Sequence, residues 1–271
     1  MQSNEVLQPV SLPAPWSPDI LSGQSKPFDE RWEDLTSRLD SKMDRLVEVV
    51  QGSEMFQTLV DPSTPMDLVK LIMREIYLEI YSYQPQVIEA TMCCIARMPK
   101  CDSRTIKTMM THQCDESDHG EMAMRDYVRL GGDEKTARTR RISSASFAVA
   151  SLWWGLAHME TPTAYLGALY PFEGLTPRIC GPIVEMLYKR NFPRDAMEFI
   201  EFHATEDIKH TNLVRYLLKD VASRYPGAEQ AIEAGLDYFL EVYPMPVWDI
   251  AYKRAQLEWS GSETVLASIL E

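Results

Sequence analysis

From about Phe28 onward, apolar side chains recur at the three- and four-residue intervals of a helix, and the interval persists along the chain. No stretch of useful length alternates apolar and polar residues as a half-buried strand would. No Asn-Gly or Asp-Gly pair marks a hairpin. Punctuation divides the helical pattern. Ser103 is placed to cap a helix running through IKTMMTHQCDESDHGEMAMRDYVRL to a stop at Gly131-Gly132. Asp133 caps the next, which runs toward His158. Thr161-Pro162 and Thr176-Pro177 each set a capping residue before a proline at the first helical position. Pro193, Arg194 and Asp195 open a helix that carries His203 and His210 and ends before Pro226-Gly227. A further helix covers about 227–241, and a last one runs from about Pro246 toward the C-terminus. The expected fold is an all-α bundle of about seven or eight helices.

Residues 1–27 break this pattern. They carry five prolines (Pro9, Pro13, Pro15, Pro18, Pro27) and few periodic apolar positions, so an extended arm is expected there. No internal repeat or second composition class divides the remainder, and 28–271 reads as a single domain.

Composition narrows the function classes. Of 271 residues, 45% are hydrophobic and 25% charged, the balance of a globular protein with a sizeable core. No apolar run is long enough for a membrane span, and the first residues lack the basic and apolar regions of a signal peptide. A net charge of −13 without a basic stripe argues against nucleic acid as a partner. Cys93, Cys94, Cys101, Cys114 and Cys180 form no CxxC pair and no disulfide framework, so reduced thiols in the cytoplasm are expected.

The chemistry is concentrated in the histidines. There are five, and four fall in two tight groups that also hold carboxylates. On a helix, Asp207 lies about 40° from His203, and His210 about 20° to the other side, so all three share one narrow face. Phe199, Ile200, Phe202 and Leu213 border that face, and three metal-binding groups turned toward a core need an ion or each other. In the second group, Glu116 and His119 are three residues apart and both can reach one ion; Glu-x-x-His is a known iron-binding spacing inside helix bundles. His112, one turn earlier, shares the face and stands as a possible extra ligand or supporting residue. Imidazole and carboxylate donors without thiolate suit iron, manganese or zinc, and open positions suit iron that meets dioxygen. Glu116, His119, His203, Asp207 and His210 are too many for one open site and one carboxylate short of two balanced ones. Glu160, Glu173 and Glu185 are the candidates for the sixth. Glu173 sits in Leu169-Tyr-Pro-Phe-Glu-Gly174, where Pro171 and Gly174 are expected to kink or break the helix.

These three segments, in this order over about residues 65–240, resemble the heme-oxygenase-like di-iron oxidases and oxygenases. In that family a Glu and a His lie on one helix, a Glu follows in an LY-x-x-E-G stretch, and an H-x-x-x-D-x-x-H helix closes the site. The resemblance implies Glu173 as the sixth ligand, with Glu160 in reserve. It implies a further carboxylate from an earlier helix in some members, for which Glu75, Glu79 and Glu89 are open. It also implies two Fe(II) ions, one on Glu116, His119 and His203 and the other on Glu173, Asp207 and His210, with O2 as co-substrate and an external electron source left open. The implied substrate is small and carboxylate-bearing, an amino acid or derivative in a natural-product pathway, undergoing N-oxygenation, oxidative C–C cleavage or desaturation. A fatty-acid decarboxylase or desaturase of the same fold is the alternative, and a non-catalytic iron-binding bundle the alternative of another class. A homodimer is left open.

Other activities of this fold lack their residues. A heme oxygenase needs an early proximal histidine, and the first here is His112. A thiaminase-like enzyme needs a nucleophilic cysteine with a carboxylate partner, and only Cys180 lies close to Glu173. Trp153-Trp154 and the methionines at 92, 109–110, 122 and 124 are expected in the core or a pocket wall. Arg178, Arg190 and Arg215 are expected at the surface.

Overall fold

The computed structural model describes residues 26–99, 102–159 and 162–261. Nearly all of the proline-rich arm, and Glu160, lie outside these residues. The described chain is all-helical: α1 Phe28–Gly52, α2 Glu54–Val60, α3 Met66–Arg97, α4 Ser103–Glu116, α5 His119–Arg129, α6 Glu134–Thr139, α7 Ser144–Ala157, α8 Thr163–Lys189, α9 Glu198–Thr205, α10 Asp207–Arg224, α11 Ala228–Val242 and α12 Met245–Trp259. A single 3₁₀ turn, Arg194–Ala196, precedes α9.

Twelve helical segments are described where seven or eight helices were expected, and three of the expected helices are split. The first splits at Ser117-Asp118, between Glu116 and His119. There Ser117 Oγ donates back to the Cys114 carbonyl at 2.8 Å, a local bond that competes with the helical ladder. The second splits after α6: Asp133 caps α6 by accepting from Thr136 N, and Ser143 Oγ starts α7 afresh by accepting from Ser146 N. The third splits at Glu206, between His203 and Asp207, beside Thr205, whose hydroxyl also bonds backward to the Phe202 carbonyl at 3.1 Å. Conversely, Thr176-Pro177 starts no helix. α8 runs through Pro171, Pro177 and Pro182, although each proline removes one ladder hydrogen bond.

Two long helices organise the packing. α3 lies against α5, α7 and α12, and α8 against α9, α10 and α11. The α8–α11 approach is backbone to backbone. A Cβ on Gly167 would lie 2.0 Å from the Ile232 carbonyl oxygen, and one on Gly235 would lie 1.9 Å from that of Ala164. Trp153, Tyr165 and Phe239 fill the adjoining core without exposure. The faces of α4, α5, α8, α9 and α10 that remain converge on a polar interior.

Candidate metal centre

Six side chains from these five helices meet there, together with His112, and all are at most 7% exposed. They form two groups that share one carboxylate. In the first, Glu116, His119 and His203 each offer a donor atom within 4.8 Å of the others; in the second, His112, Glu116, Glu173 and His210 do so. The individual separations are short. Glu116 Oε2 lies 2.7 Å from His119 Nδ1, and His119 Nδ1 lies 3.1 Å from His203 Nε2. In the second group His210 Nδ1 is 3.2 Å from Glu116 Oε1 and 3.4 Å from Glu173 Oε2, and His112 Nε2 is 3.3 Å from Glu173 Oε1. Asp207 approaches this group through His210 Nδ1, at 3.4 Å. Donors about 2.1 Å from one ion and at right angles are about 3.0 Å apart, so these are separations of neighbouring ligands.

The residues fit a metal on a second count. Nine buried side-chain nitrogens and oxygens lack a hydrogen-bond partner among the described residues. Six belong here: His112 Nε2, Glu116 Oε1, His119 Nε2, Glu173 Oε1, Asp207 Oδ1 and His210 Nδ1. Buried polar atoms are almost always satisfied, and a cluster of exceptions among metal-ligating residues is what a site able to hold an ion would show without it.

Surrounding structure orients the donors. His203 Nδ1 donates to the Phe199 carbonyl at 2.7 Å, which fixes the tautomer and leaves Nε2 free to bind. Phe199 stacks on the same ring, with centroids 3.8 Å apart. Asp126 of α5 accepts from Phe199 N at 2.8 Å, capping the start of α9 and tying the His119 helix to the His203 helix. Burial and the neighbouring His119 bring His203 down to about 4, so it is neutral as a ligand must be. Burial opposes charge on His210 as well, but Asp207, Glu116 and Glu173 outweigh it and push His210 up to about 12. Burial and the nearby carboxylates Glu173 and Glu116 hold the Asp207 carboxyl well above its usual range, against the pull of His210.

An apolar cavity of about 70 Å³ opens beside the centre. Glu116, Glu173, His203 and Asp207 form its polar end. Its walls are apolar side chains such as Met73, Ile80, Phe172, Leu175, Ile179 and Ile183, and no lysine or arginine among the described residues lines it.

The remaining sequence candidates lie elsewhere. Glu79 is fully buried, but it serves Arg254, Arg140, Ser143 and Ser146. Glu75 pairs with Arg74 at 3.1 Å, Glu89 is exposed, and exposed Glu185 pairs with Lys189. Arg178 and Arg215 bind Asp44 and Asp40 of α1, and Arg190 binds the carbonyls of Asp61 and Thr64. Trp153, Met109, Met122 and Met124 are core, whereas Met92 and Met110 are each 48% exposed, on the outer faces of α3 and α4.

Residues 79–243, more than half of the chain, match the family described as iron-containing redox enzymes. The chain belongs to that family. Among solved structures, this redox enzyme is similar to a domain of unknown function with a heme oxygenase-like fold from Shewanella denitrificans OS217, at 18% identity and a TM-score of 0.71, over 84% of this chain and 95% of that one. It is also similar to a TenA homologue from Pyrococcus furiosus (14% identity, TM-score 0.63, 80% and 100% covered). A TenA homolog from Pseudomonas syringae pv. tomato matches at 16% identity and a TM-score of 0.60, with 78% and 91% covered. At these identities the likeness establishes the heme-oxygenase-like fold. No curated protein matches the chain. Among the described residues, no helix of the redox enzyme is long and apolar enough to cross a membrane.

Proposed function

We propose that this redox enzyme is a non-heme di-iron oxidase or oxygenase that activates O2 against a small organic substrate. The observation that carries this reading is the pair of donor groups joined by Glu116, opening on one apolar cavity. Glu116, His119 and His203 would hold one ion. His112, Glu173 and His210 would hold the other with Glu116, and Asp207 is close enough to His210 to join them or to orient its ring. Bound iron would supply the electron transfer to dioxygen that no protein side chain can perform alone.

The chain's own residues do the rest. The apolar walls exclude water and accept an apolar body, while the polar end turns the reactive part of the substrate toward Glu116, Asp207 and His203. Size and wall chemistry select the substrate class. A cavity of about 70 Å³ is about half the engineered apolar cavity of ~150 Å³ that admits a benzene, so the substrate is compact. With no lysine or arginine among the described residues of the wall, its carboxylate is directed to the metal end. This favours a short aliphatic acid or a small amino-acid derivative over a long acyl chain. An iron-storing bundle would have no use for this cavity. Thiaminase-like chemistry needs an activated thiol, but burial and nearby Asp207 push Cys180 far above its ordinary value, leaving it protonated.

Anaerobic Fe(II) titration should reach two ions per chain. A subsequent O2 pulse, followed by stopped-flow absorption, should give a visible transient whose decay a short carboxylic acid accelerates. One zinc and no bound iron would sink the proposal, and indifference to every compact acid would favour storage. His210→Ala should bring the metal count to about one and abolish oxidation, with helix content unchanged by circular dichroism.

A further inference from the structure

A second and larger cavity, of about 880 Å³, lies on the opposite face of α3 from the metal centre. Ile76, Ile80 and Tyr83 of α3 face the metal-side cavity, whereas Glu75 and Leu78 face this one. None of the metal-group residues lines it. Its remaining wall comes from Tyr127 of α5, α6, the segment 140–143, the start of α7, and α12.

The charges in this wall do not balance. Arg254 lines the cavity, yet it is only 4% exposed. Its Nη1 binds Glu79, but its Nε has no partner. Arg140, also in the wall, reaches the same Glu79 oxygen at 3.4 Å. Ser143 and Ser146 donate to the other oxygen at 2.5 and 2.6 Å. One carboxylate thus serves two guanidiniums and two hydroxyls. Glu75 cannot make up the shortfall, because Arg74 holds it while also binding Glu258. In the wall Arg140, Arg141 and Arg254 stand against Glu75 and against Glu79, which does not itself line the cavity, making three positive charges and two negative; Arg74 and Glu258 cancel each other. Burial and the neighbouring Arg254 pull Arg140 below its ordinary value, as expected for an undercompensated cation. Leu78, Ile142, Ile250 and Phe147, the last 61% exposed, give the wall an apolar stretch, and its uncharged polar members include Tyr127 and Thr136.

We propose that this cavity binds an organic monoanion with an apolar body, a medium-chain carboxylate, at a site distinct from the metal centre. The head group pairs with Arg140 and Arg141, adding an acceptor where Arg140 now shares the Glu79 carboxylate with Arg254, and the chain lies along Ile142, Phe147 and Ile250. One negative charge balances the wall. A phosphate dianion would leave a net negative charge against a half-buried surface, which is unfavourable. Arginine suits the role because its planar fork engages both carboxylate oxygens.

Calorimetry with octanoate tests this on metal-loaded protein carrying Ile179→Trp, which fills the metal-side cavity. One saturable site is expected. Adding either Arg140→Gln or Phe147→Asp, both at positions that are not fully buried, should weaken it at least tenfold. Inorganic phosphate should bind at least tenfold more weakly than octanoate. No saturable binding, or affinity unchanged by both substitutions, would overturn the proposal. Wild-type crystals soaked with octanoate give an independent readout: density against Arg140 and Phe147 supports the site, and density confined to the metal-side cavity refutes it. Neither readout depends on turnover, so failure of the oxygenase reading would leave this result standing.

Discussion

His112 and His119 show how much a single side chain depends on what lies between it and its neighbour. On one continuous helix they share a face, and helical spacing alone made both legible. The break at Ser117-Asp118 separates their fates: His119 turns to His203, and His112 turns to Glu173 and His210. Residue spacing does not report such a break, which a hydroxyl-to-carbonyl bond from Ser117 to Cys114 accompanies. The face shared by His203, Asp207 and His210, and the Glu116–His119 pair, were legible because three- and four-residue spacing survives a one- or two-residue interruption. At this scale the protonation of His210 has two opposite consequences. Its folded-state value, about 12, stands above the ordinary 6.5. The stability it gives the metal-free protein is therefore complete below about pH 6.5 and is lost as pH rises toward 12. Metal binding must expel that proton, so apparent metal affinity should rise with pH over the same range. Denaturant melts of metal-free protein at pH 6.5 and 9, and Fe(II) titrations with an indicator dye, should show the two trends running in opposite directions. An affinity independent of pH, with no proton released, would remove His210 from the ligands.

At the scale of helices, punctuation by glycine and proline was readable where it ended an element and misleading where packing overrode it. Pro177 looks like a helix start, but α8 is held on several sides and carries the proline within it. The close approach of α8 and α11 could not be read at all, since it depends on Gly167 and Gly235 meeting backbone from a distant part of the chain. Gly167→Ala forces a methyl group into the Ile232 carbonyl. It should cost about 1–3 kcal/mol, lowering the melting temperature by several degrees; the same change at Gly155, which has open space around it, should cost nothing measurable. The cap that α5 lends to α9 is a second long-range contact. Asp126→Ala should remove about 1–2 kcal/mol and, because it frees the backbone to which His203 is anchored, should also weaken metal affinity. A loss of stability with metal affinity intact would show that the cap holds the helix without setting the ligand.

For the molecule as a whole, the all-helical bundle followed from unbroken helical periodicity, and its heme-oxygenase-like identity from three motifs in order. The cavities did not follow, because their walls combine residues from helices far apart in sequence. The six partnerless buried atoms at the metal centre add something at this scale. An ion that binds only the folded chain stabilises it by about 4 kcal/mol when present at a thousand times its dissociation constant, which should raise the melting temperature by roughly 10 °C. Chelation should reverse that shift, and a melting temperature indifferent to chelator would mean that the donors satisfy one another. The metal-free chain is also the form that opens more often, and proteases act on the opened form. Iron supply would then set how long each copy survives in the cell as well as whether it works, with idle copies removed first.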